Sequence, residues 1–221
     1  MKNRNLIFYI LIFLPLVITV LVLPFFPESV PMHYDPMGNI NRWGSKYEQL
    51  ILPVLTIGFG YFMLALSKMA SKKEQGTANE KATIIVSIAS VLIFNITNAV
   101  FLYKAFFAST DKIEPVKVDI FQVIFITVGV AVLIMGNIMQ KCKMNSIIGL
   151  RTTWSMKSDR IWFLSQRFGG VSFMISGLVI IIGNSFLKGI VCFIFTMIIM
   201  LIDLIASLIG SYLIYKKNIG D

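Results

Sequence analysis

Charge is what this chain has least of. Only 14% of its 221 residues are Asp, Glu, Lys or Arg, against about 25% in soluble domains, so it cannot cover a water-facing surface in the ordinary way. Histidine occurs once, at His33, and cysteine twice, at Cys142 and Cys192. The chain holds no C-x-x-C pair, no H-E-x-x-H helix and no G-x-S-x-G elbow, which leaves few parts for metal or nucleophilic catalysis. The reading is a protein that is not an enzyme and carries no cofactor or metal. Acidic residues number 11 against 20 basic ones. In a soluble protein that excess would point to nucleic acid. In a membrane protein it is the surplus of Lys and Arg in cytoplasmic loops, and no direct nucleic-acid contact is expected.

What the chain does have is apolar residues, at 57% with a mean hydropathy of +0.80, gathered in long blocks. A block of roughly 18 or more spans about 30 Å of hydrocarbon as a helix. Six blocks qualify or nearly so: 6–26, 50–66, 82–103, 120–139, 171–187 and 190–215. The first is too long for a signal-peptide core and no small-residue cleavage site follows it, so it reads as a retained span. The expected fold class is all-α, a polytopic transmembrane bundle of six spans.

Basic residues set the orientation. Lys2, Arg4, Lys68, Lys72, Lys73, Lys81, Lys141, Lys143, Arg151, Lys157, Arg160, Arg167, Lys216 and Lys217 fall on one side, against Arg42, Lys46, Lys104, Lys112, Lys117 and Lys188 on the other. The excess places both termini in the cytoplasm. Loop 27–49 then faces outward and loop 140–170 inward, with Cys142 and Cys192 on opposite faces and too far apart for a disulfide.

The outer loop is dense in Pro and Gly, which predicts fixed turns. Pro36-Met-Gly38-Asn reads as a tight turn with Gly38 at positive φ. His33 and Asp35 make an incomplete metal site, and the plainer reading packs His33 and Trp43 onto the outer interface. In the inner loop, Gly149 marks a bend before Arg151, and Ser158 is a plausible N-cap ahead of Asp159 and Arg160. The helix it opens carries Ile161, Trp162, Leu164 and Phe168. It reads as a short interfacial helix between spans four and five, with its aromatics at headgroup level.

The run N-x-x-I-G-L-R-T-x-W-S resembles the SdpI family of bacterial toxin-immunity membrane proteins. It is carried here by Asn145, Gly149, Leu150, Arg151, Thr152, Trp154 and Ser155, with Trp162 seven residues on. Gly136-Asn137 and Met139-Gln140 upstream also fit. The outer pattern P-x-H-x-x-x-x-G, at Pro31, His33 and Gly38, is similar to a small domain of unknown function that often precedes such regions. Thr153 departs from the family, which usually has proline there; a rigid φ is lost but no functional group. The resemblance implies self-protection against a secreted toxic peptide met at the outer face. It also implies a cytoplasmic transcriptional repressor held at the inner loop, where anionic lipid headgroups are the other expected partner. Arg151 is the residue expected at its centre, since a guanidinium can bind phosphate or carboxylate in bidentate fashion. The chain is expected to divide into an N-terminal three-span region, 1–115, and an SdpI-like three-span region, 116–221.

Inside the spans, Asp203 sits mid-membrane with Ser207, Gly210 and Ser211 on its face, and Asn95, Thr97 and Asn98 form a polar patch in span three. Asp203 should face protein or water. One reading makes it helix-to-helix glue. The other pairs it with Asn95 or Asn98 along a proton or ligand path, as in a small transporter or channel-like protein.

Overall fold

The structure, a computed structural model, describes residues 2–73, 77–108, 118–145 and 147–218. Lys112 and Lys117 lie outside the described residues, as do the side chains of Lys2, Arg4, Lys72 and Lys73. Six helices follow in order: α1 (Lys2–Val22), α2 (Ile51–Lys73), α3 (Thr77–Ala108), α4 (Ile120–Met139), α5 (Asp159–Asn184) and α6 (Ile190–Lys217). Each is long and apolar enough to cross a membrane. Helices α1, α2 and α3 pack on one another, α5 packs on α4 and α6, and α3 also lies against α4.

Two expectations about these helices are corrected. The second span, read as 17 residues, runs from Lys46 to Met69 when its leading 3-10 turn is included. There is also no separate interfacial helix: Asp159 to Asn184 is one continuous helix of 26 residues. At 1.5 Å per residue that is about 39 Å, longer than the roughly 30 Å hydrocarbon core. Ser158 is its N-cap, Oγ accepting from Ile161 N at 3.3 Å.

Nothing breaks α5 at Gly169-Gly170 because those glycines are packed against α4. Gly136 and Gly170 meet backbone to backbone, and Gly129 meets Gly177 in the same way one heptad along. A Cβ on Gly177 would lie 2.7 Å from Leu133 N and 2.8 Å from Gly129 O. Small residues at such spacings let membrane helices approach closely, which is the main source of packing energy where water supplies no drive between helices. At the far end, Gln122 Nε2 of α4 donates to the carbonyls of Asn184, Ser185 and Leu187. It thereby satisfies acceptors that the end of α5 leaves without intrahelical partners.

The all-α expectation is also corrected. Between α1 and α2 an antiparallel hairpin forms from β1 (Ser29–Tyr34) and β2 (Ile40–Ser45). Its register shifts between Pro31 and His33, beside a proline that has no N–H for the ladder. The turn is the tight one the loop implied. Gly38 adopts φ +87°, and Asp35 Oδ1 accepts from Met37 N at 2.9 Å and Asn39 N at 2.8 Å. The Asn39 side-chain amide, donating to Asp35 Oδ2 at 3.0 Å, and these turn amides hold the Asp35 carboxyl below its ordinary range. The hairpin docks through Val30, which joins Phe26, Leu102 and Ala105 in a buried cluster. His33 and Trp43 are both exposed on the hairpin, and His33 Nδ1 bonds Asn41 Oδ1. Asp35 is committed to the turn, and among the described residues no three His, Cys, Asp or Glu side chains come together.

Candidate functional site

The described residues between Gln140 and Ser158 are irregular backbone, so their polar groups need partners that a helix would otherwise supply. Buried side chains provide them. Asn145 Oδ1 accepts from Ile147 N at 2.8 Å and Ile148 N at 2.7 Å, while its Nδ2 donates to Lys143 O at 2.7 Å. Lys143 N in turn donates to Asn79 Oδ1 of α3 at 3.0 Å. The chain then turns at Gly149, where φ is +110°. A Cβ there would collide with the Gln166 side-chain oxygen, so glycine is required by both conformation and space.

Gln166 of α5 is the residue that sequence reasoning missed. It is fully buried and grips Leu150 like a neighbouring strand, Oε1 accepting from Leu150 N at 2.8 Å and Nε2 donating to Leu150 O at 3.0 Å. A signal for it existed: Gln166 stands four residues after Trp162 and so shares its helical face. Trp162 is also buried, with Nε1 donating to Cys142 O at 2.9 Å. The expectation of Trp162 at headgroup level is thus corrected; it ties the start of the loop to α5.

Thr152 and Ser155 lock the remaining turn reciprocally. Thr152 N donates to Ser155 Oγ at 2.9 Å, and Ser155 N donates to Thr152 Oγ1 at 3.0 Å. Ser155 Oγ also reaches Leu150 O at 2.8 Å. Trp154 points across to α6, its Nε1 donating to Ser211 Oγ at 2.9 Å and its ring meeting Tyr212 edge-on at 5.6 Å. Phe168 packs against Gly210.

The result is a loop fixed at Asn145, Gly149, Leu150, Thr152, Trp154 and Ser155, on which Arg151 is the one charged residue of the run 145–155 and is exposed together with Thr153. Arg151 is exposed, and its guanidinium has no hydrogen-bond partner among the described residues. Asn137, by contrast, is exposed on α4 and is not drawn into this network. Cys142 sits beneath the loop, its thiol pushed up to about 11 by burial, which leaves it inert as a nucleophile.

The intramembrane polar residues separate into two groups. Asp203 Oδ1 accepts from Ser172 and Ser176 of α5, the latter at 3.0 Å. Asn95 Nδ2 donates to Leu11 O at 2.9 Å, and Asn98 Nδ2 to Thr19 Oγ1 at 3.2 Å, both on α1. Asp203 therefore does not pair with Asn95 or Asn98. Each group joins neighbouring helices.

Six membrane-spanning helices, an ordered hairpin at one end and a locked, basic loop at the other define a polytopic helical membrane protein with a structured motif at each face. The comparisons agree with both motifs. Residues 141–211 match the SdpI/YfhL protein family, and residues 10–57 match a domain of unknown function, DUF1648. Immunity protein SdpI of Bacillus subtilis (strain 168) is 25% identical over 221 residues, spanning 99% of this chain and 99% of its own. No solved structure matches. The chain is thus a multi-pass protein of the bacterial cytoplasmic membrane, in which a segment similar to DUF1648 precedes one similar to the SdpI/YfhL family.

Proposed function

We propose that this protein gives its host immunity against a secreted antimicrobial peptide. The observation that carries the reading is end-to-end similarity to Immunity protein SdpI, together with a family segment whose motif residues converge on one locked loop. That loop is stabilised far more than a connector requires. Its turns satisfy their own backbone and present a single guanidinium outward, which is the arrangement of a recognition surface.

With the loop on the cytoplasmic side, as the distribution of basic residues supports, the hairpin faces the toxin and Arg151 faces a cytoplasmic partner. An acidic patch on a transcriptional repressor fits a bidentate guanidinium, and anionic headgroups fit the neighbouring Lys157, Arg160 and Arg167. On this reading the halves 1–115 and 116–221 divide the labour, the first bearing the outer hairpin and the second the inner loop. The transporter alternative has less support, because Asp203 is bonded within the α5–α6 contact.

Deleting the gene should make the producing strain sensitive to its own spent medium, and a plasmid copy should restore growth. A deletion strain as resistant as its parent, with no second copy in the genome, would sink the proposal.

A further inference from the structure

At the hairpin end lies a cavity of about 610 Å³, lined by the hairpin tip, the outer ends of α3 and α4, and Lys188 before α6. Its size is within the range of about 300–1,000 Å³ typical of ligand pockets. Most of the wall is apolar or aromatic, including Ile40, Tyr103, Phe107 and Phe121. Three charged side chains line it: Lys104, Lys188 and Asp119.

Asp119 is already committed. Its Oδ1 caps α4 by accepting from Gln122 N at 3.0 Å, and its Oδ2 accepts from Gly189 N at 2.9 Å. Lys104 lies over the Tyr34 ring, 5.1 Å from its centre. Among the described residues neither lysine has an ion-pair partner; the two ion pairs at this end are Arg42–Glu48 and Lys46–Glu28. The Tyr34 hydroxyl is buried and unpartnered. Burial pushes Tyr34 up to about 12, so it stays a neutral donor. An unpaired buried hydroxyl is costly, and Tyr34 is one of the residues lining the cavity. The site is also shared between distant parts of the chain, since Pro36 O accepts from Ile190 N at 3.0 Å and so seats the hairpin turn on the start of α6.

We propose that this cavity binds the C-terminal carboxylate of an apolar peptide, with Lys188 and Lys104 neutralising the carboxylate, Tyr34 donating to it, and the aromatic wall taking the apolar residues that precede it. Among the described lining residues, two ammoniums against one committed carboxylate leave one positive charge, which a single carboxylate balances. The choice of a peptide as the carrier rests on the immunity reading; the carboxylate chemistry rests on the cavity.

The test uses the full chain in phosphatidylcholine nanodiscs and a fluorescent leucine–alanine peptide, made with either a free C-terminal carboxylate or an amide. The carboxylate form should bind about tenfold or more tightly, the factor for one charge-assisted contact. Lys188→Gln should abolish the preference, Lys188→Arg should keep it, and Tyr34→Phe should reduce it. Equal affinity for both probes, or a preference that persists in Lys188→Gln, overturns the site. So does loss of the preference in the unmodified chain when phosphatidylglycerol is added to the discs, since the cavity would then be taking a lipid headgroup. A chain that discriminates the probes but leaves cells unprotected keeps the site and removes the immunity reading. Protection without discrimination does the reverse.

Discussion

Replacing Gln166 with leucine isolates the clamp on which the motif loop depends. The two side chains are close in volume, so the change removes hydrogen bonds with little change in packing. Leu150 O keeps a partner in Ser155 Oγ at 2.8 Å, whereas Leu150 N has only Gln166 Oε1. One donor is therefore orphaned, at a cost of about 1–3 kcal/mol. The loop can recover that cost by opening to water. Its local opening equilibrium should then rise roughly 5- to 150-fold, spread over Leu150 to Ser155. Hydrogen exchange of the motif-loop peptides in nanodiscs reads this directly, with Ser185→Ala at the opposite end as the unaffected control. Gln166→Glu should not rescue: its carboxylate can accept from Leu150 N, but it would be a buried, unpaired charge facing the Leu150 carbonyl. Unchanged exchange in a folded Gln166→Leu protein would refute the clamp.

Three further outcomes follow from the same geometry. Gly177→Ala places a Cβ at 2.7 Å from Leu133 N, forcing α4 and α5 apart, and should lower stability by about 1–3 kcal/mol, seen as a drop in Tm by scanning fluorimetry. Trp154→Phe and Ser211→Ala each remove the bond between loop and α6, worth about 0.5–1.5 kcal/mol; the double variant should be no worse than the poorer single one. Asp35, whose carboxyl is held low by its bonds to Asn39 and the turn amides, supports the hairpin above the ordinary carboxylate range and ceases to as pH falls through its lowered value. The exchange difference between the wild type and Asp35→Asn at residues 35–39 should therefore be present at neutral pH and shrink in acid.

The six spans were legible because each apolar block is long enough to cross hydrocarbon. The Gly38 turn and the Ser158 cap were legible because each depends on chemistry local to a few residues. The hairpin was not, since Pro31 interrupts a short strand and the register absorbs it through a shift that no periodicity reveals. Arg160 and Arg167 made the start of α5 look like a surface helix. At Gly170 the helix meets Gly136 of α4 backbone to backbone, a contact that the pattern of α5 alone does not reveal. Of the site, the motif residues were legible through their resemblance to a family, but Gln166 reads as an ordinary polar residue until its face is known to be buried. Asp203 was read correctly as polar and inward, yet its partners, Ser172 and Ser176, could be named only once α5 and α6 were aligned.

If the protein protects its host, immunity runs through the locked inner loop and the arginine it presents. The most direct measurement is survival of the gene-deletion strain in spent medium when it carries Arg151→Ala or Trp154→Ala at membrane levels equal to the wild type. The account predicts that Arg151→Ala loses most protection while remaining folded, and that Trp154→Ala loses part of it. Full protection by both variants at matched abundance would contradict it.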